Sequence, residues 1–182
     1  MKPVTDPMQL FRHQRAVREF ADRPVEDDVV RQVLQAAVHA PSGSNSQPWK
    51  FIVVRDAGVR AELDRIYAAV HNSATPGVMA KAPVVIVPCV RVPERTGVVG
   101  FQTGASIYPA CQNLMLAARL LGLGTVLTTS HRQRNDEVKA LLGVPDTWET
   151  AALIPLGWPD RGYGPNHRPP VEDSMCLDRW AE

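Results

Sequence analysis

Two arginines, Arg15 and Arg18, stand three residues apart in the run Arg15-Ala16-Val17-Arg18-Glu19-Phe20. A guanidinium presents a planar fork of donors, so a pair of them suits a phosphate dianion. On a helical turn the two would share a side; in an extended segment they would not. The chain holds 16 arginines, so a solvated pair is the plainer reading of this run alone. A second run is Ala40-Pro41-Ser42-Gly43-Ser44-Asn45-Ser46-Gln47-Pro48-Trp49-Lys50-Phe51. Its hydroxyls, amides and backbone suit the edge of a planar heterocycle, and Trp49 offers a flat surface beside them. The alternative is a turn followed by a core tryptophan.

Other motifs carry less. Gly122-Leu123-Gly124 lacks the third glycine of a dinucleotide fingerprint, since position 127 is Leu, and both glycines read as a helix stop. The chain has no Walker lysine and no Gly-x-Ser-x-Gly elbow, and Ser42 has no base nearby in sequence. Cys89, Cys111 and Cys176 show no zinc-site spacing with His13, His39, His71, His131 or His167, so no metal site is expected.

The elements that must position these residues follow from periodicity. Helices are expected at 8–13, 26–39, 59–70, 102–121 and 135–142, with Asn135 as the cap of the last. In the longest, Ala105, Tyr108, Cys111, Gln112, Met115, Ala118 and Leu121 form the apolar stripe, and further apolar residues on its other side call for a second cover. Strands are expected at 51–54, 83–90, 126–129 and 151–156, the second buried on both faces. Residues 72–77 read as a loop. Helices alternating with short strands indicate a layered α/β or α+β domain.

Composition bounds the partners. The chain has 182 residues, with 20 Lys+Arg against 19 Asp+Glu. Near-neutrality argues against a general nucleic-acid or membrane-surface binder. No apolar run approaches a membrane span, the first 15 residues have no signal-peptide core, and an odd set of cysteines suits a reducing cytoplasm.

Taken together, these segments resemble the FMN-dependent nitroreductase family, also known as the NADH oxidase/flavin reductase fold. The resemblance extends beyond the two runs above to Lys81-Ala82-Pro83 and to Gln112-Asn113-Leu114-Met115-Leu116-Ala117-Ala118 leading into Gly122-Leu123-Gly124-Thr125. It continues through Leu142-Gly143-Val144-Pro145, Leu156-Gly157-Trp158-Pro159 and Arg168-Pro169-Pro170-Val171-Glu172. It implies an α+β, three-layer α/β/α fold, with a mostly antiparallel central sheet of about four to five strands flanked by helices. One domain is expected over residues 1–182, with an extended C-terminal arm from about 159.

The resemblance also implies chemistry. Arg15, Ala16, Val17 and Arg18 would hold the FMN phosphate and ribityl chain, and Arg168 would complete the phosphate site. Pro41, Ser42, Gly43 and Asn45 would meet the flavin of a partner subunit, and Leu127, Thr128 and Thr129 would pass its N5 edge. For the basic group facing N1–O2 the candidates are Arg65, His71 and Lys81. The chain departs from the family pattern at Gln14 and Asn166, where a basic residue is common, and at Ala16, where serine is. The cofactor would take a hydride from NADH or NADPH and pass electrons to a small, flat, electron-poor acceptor, giving ping-pong kinetics without a catalytic side chain. A homodimer with flavin at the interface is expected, with no nucleic-acid or membrane partner. Same-fold enzymes with other reactions, such as flavin destruction, dehalogenation or ring oxidation, and a non-catalytic FMN-binding protein are the alternatives.

Overall fold

The computed structural model describes residues 6–70, 77–94 and 96–180. The first helix, α1 (Pro7–His13), starts at Asp6, whose carboxylate accepts the Met8 N–H at 2.9 Å. Helix α2 (Asp27–Val38) opens with Asp27 and Asp28 at its positive end. Strand β1 (Trp49–Val54) follows, then α3 (Ala57–Ala68), capped by Asp56 on the Val59 N–H at 2.8 Å. A short α4 (Val78–Lys81) leads into β2 (Val84–Arg91), and the long α5 (Phe101–Leu120) into β3 (Gly124–Thr125). The chain ends through α6 (Asn135–Leu142), β4 (Trp148–Thr150), β5 (Ile154–Gly157) and an arm. Of the loop expected at 72–77, residues 72–76 lie outside the described residues.

The sheet runs β1-β2-β5-β3 with antiparallel pairing, and β4 also pairs with β2. Strand β2 is buried along its length up to Arg91, as an apolar run covered on both faces should be. Val84, Ile86 and Val90 pack with α2 and α5 residues such as Val33, Ala110 and Leu114. Val85, Val87 and Cys89 point the other way, onto Leu63, Ile66, Met79 and Val138. Helices therefore cover both faces, which is the expected three-layer α+β architecture.

The single strand expected at 151–156 is split. Cys89 pairs with Thr150 and Ile86 with Ile154, so the three residues 151–153 oppose the two residues 87–88. This is a β-bulge, and it sits where β2 carries a proline. The Pro88 carbonyl accepts the Ala151 N–H at 2.8 Å. In a strand the N–H and C=O of one residue face the same neighbour, so the donor that Pro88 lacks falls at the bulge, where the regular ladder is already broken.

Two expectations about α5 and its exit need correction. Of the expected stripe, Cys111 and Ala118 are buried and Met115 and Leu121 pack on the same core, but Ala105, Tyr108 and Gln112 face outward, and Ile107, Ala110 and Leu114 complete the buried face instead. Of the two glycines, only Gly122 stops the helix: its φ is 86°, and the Leu123 N–H returns to the Ala118 carbonyl at 2.8 Å. Gly124 allows a close approach instead. A Cβ there would lie 2.6 Å from Val17 Cγ1, so only glycine lets residues 16–17 lie along β3. Ala16 pairs with Thr125 in parallel, and the Val17 N–H reaches the Thr125 carbonyl at 2.9 Å. Asn135 is the first residue of α6 and not its cap; the cap position is Arg134.

Candidate functional site

The segment from Arg15 to Arg18 is extended, with Val17 buried and Arg15, Ala16 and Arg18 exposed. The helical-turn adjacency of the two arginines therefore does not apply. What gathers cations here is the C-terminal arm, which runs back along this segment. Phe20 pairs with Pro159, the Ala21 N–H meets the Trp158 carbonyl at 2.8 Å, and Arg161 pairs with Glu19 at 3.0 Å. Asn166 then clamps the end of α1: its N–H donates to the Arg12 carbonyl at 2.7 Å, and its Nδ2 to those of Phe11 and Gln14 at 3.0 and 3.1 Å. This clamp holds the backbone two residues before Arg168 against the turn into Arg15. Closing helix-end carbonyls in this way is a task for an amide. Arg15 lies over the Tyr163 ring, 5.7 Å from its centroid.

Among the described residues, Arg15, Arg18 and Arg168 form no ion pair, a property they share with Arg12, Arg23, Arg60, Arg91 and Arg179, while Arg31, Arg55, Arg65, Arg132, Arg134 and Arg161 are paired. Arg15 and Arg168, which the arm brings to one end of this segment without a carboxylate partner for either, have the donor chemistry that fits a phosphate dianion. The donor chemistry of these side chains fits the phosphate of FMN, and Gly124 lets the Ala16–Val17 backbone lie along β3 beside them.

The segment carrying Leu127, Thr128 and Thr129 continues β3 in register along β5. Thr128 pairs with Leu153 through both backbone groups, at 3.1 and 2.9 Å. Both backbone groups of Thr128 are thereby used, and the Thr129 carbonyl accepts the Arg132 N–H at 3.0 Å, so the backbone that can meet a ligand edge is that of Leu127 and the Thr129 N–H. A single 3-10 turn, Ser130–Arg134, follows. His131 is fully buried in it, and its Nε2 lies 3.0 Å from Thr150 Oγ1. The Thr150 hydroxyl donates to Asn135 Oδ1, so it accepts from His131, which fixes the proton on Nε2. Asn135 Nδ2 in turn donates to Glu149 at 2.6 Å, and Glu149 also receives Arg132 at 3.2 Å and Lys139 at 2.9 Å. Burial, helped by the positive charge of Arg132, pulls the His131 pKa down to about 4.

The loop after α2 carries backbone strain. Ser44, Asn45 and Gln47 have φ of 50°, 53° and 47°, conformations that cost non-glycine residues about 1–2 kcal/mol each. Hydrogen bonds hold the loop: the Gly43 N–H to Ser106 Oγ at 3.2 Å, and the Gln47 N–H to Ser42 Oγ at 3.0 Å. Pro41, Ser42 and Gly43 border a hollow of about 460 Å³ with Phe101, Gln102, Ala105 and Ser106. None of the arginine cluster lines that hollow. Ser106 was not legible as a site residue, because a lone serine inside a helical pattern carries no signal. Trp49 is a core residue, 9% exposed and packed with the α2–α5 layer, so it offers no free face beside the loop.

The candidates for a basic group near N1–O2 also separate. Arg65 is held by Glu62 at 2.6 Å and Glu137 at 3.6 Å. His71 lies outside the described residues. Lys81 lines a polar cavity with Arg23 and Arg60. The Cys89 and Cys111 thiols are pushed up to about 11 and about 12 by burial, so they act as core residues and not as nucleophiles.

The fold agrees with comparison to known proteins. The family model for the nitroreductase family matches residues 11–78 and 71–158, and the chain belongs to that family of oxidoreductases. A Methanothermobacter thermautotrophicus protein named "Putative NADH dehydrogenase/NAD(P)H nitroreductase" is 33% identical over 180 residues, covering 96% of this chain and 88% of that one. Rat iodotyrosine deiodinase 1 is 28% identical over 178 residues, covering 85% of this chain and 62% of its own. In fold, the chain is similar to the NADPH:FMN oxidoreductase of Vibrio harveyi, with a TM-score of 0.82 at 22% identity, covering 96% of this chain and 77% of that one.

Proposed function

We propose that two copies of this chain hold FMN between them and pass reducing equivalents from NADH or NADPH to a flat, electron-poor acceptor: a nitroaromatic, a quinone or a flavin. The observation that carries this reading is the arm laid against the turn into Arg15: Asn166 bonds the Gln14 carbonyl at 3.1 Å and Arg15 reaches the Gly164 carbonyl at 3.5 Å, which brings the backbone leading to Arg168 beside Arg15, neither arginine having a carboxylate partner among the described residues. Arg15, Arg18 and Arg168 bind the phosphate, and the Ala16–Val17 backbone supports the chain of the cofactor. Leu127 and Thr129 orient the ring edge, and Thr128 anchors them through its two bonds to Leu153. Pro41, Ser42, Gly43 and Asn45 belong to the site of the other copy. Bound FMN supplies hydride acceptance and electron delivery at one exposed ring face. The names of the Methanothermobacter and Vibrio proteins support the nicotinamide donor and the flavin.

The dimer has its own support. The chain exposes 10681 Å², about 2,000 Å² more than a compact monomer of this mass. The excess includes Phe101 (95% exposed) on α5 and Leu177 and Trp180 (77% and 87%) on the arm, apolar residues that suit burial against a second copy. Among the described residues no helix is long and apolar enough to cross a membrane. The odd, widely spaced set of three cysteines supports a reducing cytoplasm as the location of the dimer. One domain over residues 1–182, with the arm from about 159 serving the dimer, is part of the same reading.

Steady-state kinetics test the activity. Varying NADH or NADPH against a nitroarene or quinone is expected to give parallel double-reciprocal lines, as one ring face serves donor and acceptor in turn. A point variant that keeps FMN saturated yet loses hydride transfer a thousandfold contradicts cofactor-borne chemistry. The deiodinase likeness attaches to the alternative of another reaction on this fold, and flavin bleaching by NADH or NADPH in stopped flow separates the two.

A further inference from the structure

A polar cavity of about 500 Å³ opens beside residues 20–24, downstream of the extended segment that starts at Arg15. Phe20 and Pro83 in its wall close over Gly157, where a Cβ would lie 2.7 Å from Pro83 Cδ and 2.8 Å from Phe20 Cδ1. Neither Arg15, Arg18 and Arg168 nor residues 127–129 line it.

Three cations do, and none of them is held by a carboxylate. Arg60 turns its Nε to the Arg55 carbonyl at 3.3 Å, and its Nη1 to the Ala80 carbonyl at 2.6 Å and to that of Ala82, at the end of α4. This fixes the guanidinium and leaves Nη2 for a ligand. Arg23 stacks on Trp158, its guanidinium carbon 3.9 Å from the ring centroid, and Trp158 is itself fixed by Nε1 donating to the Pro24 carbonyl at 2.9 Å. Lys81 lays its stem over Gly77, with its Cε 3.3 Å from where a Cβ would stand. Arg23 and Lys81 form no ion pair among the described residues.

The positive charge here is in surplus. Asp22 is the one carboxylate among the described lining residues, and it pairs with none of the three. Acids on the neighbouring segments are already engaged: Glu19 by Arg161 at 3.0 Å, Asp27 by Arg55 at 2.7 Å, and Asp64 by the Met79 N–H at 2.8 Å. Three cations against one carboxylate leave two positive charges, which match a phosphate monoester dianion. Closing the end of α4 accounts for Arg60, but not for Arg23 and Lys81 on the same space. Like charges so gathered repel, and a bound dianion removes that cost. The volume lies in the range of about 300–1,000 Å³ typical of small-molecule sites, so it exceeds what a bare phosphate fills.

We propose that this cavity binds a small phosphomonoester, a sugar or nucleoside phosphate, independently of the site proposed for FMN. Arg60 Nη2 and the Arg23 fork bond the phosphate oxygens, and Lys81 adds the remaining charge. The organic part lies beside Phe20 and Pro83.

The test is titration calorimetry of the FMN-saturated protein, in which the flavin phosphate site is already filled. Ribose 5-phosphate is expected to bind, inorganic phosphate to bind more weakly, and ribose not to bind. Lys81→Gln and Arg23→Gln are each expected to weaken ribose 5-phosphate about tenfold, the scale of one charged contact. Lys81→Arg is expected to keep most of the affinity, and Asp22→Asn, which removes the opposing charge, to raise it. Arg60 is left in place because its loss also opens the end of α4. Arg15→Ala is expected to leave the affinity unchanged, which separates this site from the flavin reading. Absent binding of ribose 5-phosphate, binding unchanged in both Lys81→Gln and Arg23→Gln, or binding weakened by Asp22→Asn overturns the proposal. So does loss of binding in Arg15→Ala, which assigns the ligand to the flavin phosphate site. Equal affinity for inorganic phosphate overturns the assignment to an ester.

Discussion

Arg15→Ala or Arg168→Ala is expected to raise the dissociation constant for FMN about 10- to 150-fold, a loss of about 1.5–3 kcal/mol for one charge-assisted contact. Both side chains are exposed and neither forms an ion pair among the described residues, so their removal leaves no buried carboxylate behind and should spare the fold. Riboflavin, which lacks the phosphate, should bind the wild type more weakly than FMN does, and this gap should shrink in both variants. Fluorescence titration of apoprotein with each ligand measures both effects. Equal FMN affinity in wild type and both variants removes the phosphate assignment.

The second large effect is on acid stability. His131 is fully buried and neutral, with a pKa near 4 in the fold, against about 6.5 in an unfolded chain. Between these values the unfolded state binds the extra proton, so stability falls as pH falls. The contribution of this group is complete above about pH 6.5, declines through that window and levels off below pH 4, at a total loss of about 3 kcal/mol. Carboxylates also titrate there, so the comparison is with His131→Gln, whose amide can still donate to Thr150. Urea unfolding across pH 4–7 should show a steeper loss for the wild type. Parallel curves for the two proteins contradict a buried neutral histidine in this network.

The sequence made the layers legible because β2 is an unbroken apolar run and because helical spacing marks α2, α5 and α6. It misjudged phase and partnership, which depend on what lies across the gap. The stripe chosen on α5 was rotated because Ala105 and Tyr108 are apolar on either face, and only packing against β2 separates Ile107 and Ala110 from them. The split of β4 from β5 follows from Pro88, whose missing N–H breaks the ladder of a neighbouring strand. Gly124 looked like a second helix stop, yet its reason is Val17, far away in sequence. In the candidate site the motif residues were readable from the family resemblance, but Asn166 and Ser106 were not. Their roles arise from contacts with residues 152 and 63 positions away in sequence.

The central claim is that one cofactor site needs two chains. Sedimentation equilibrium of the FMN-loaded protein at sub-micromolar concentration, followed in the visible flavin band, tests it most directly. The account predicts a particle of twice the 20.0 kDa chain mass carrying two FMN. A 20.0 kDa species that retains one FMN contradicts both the dimer and the shared site.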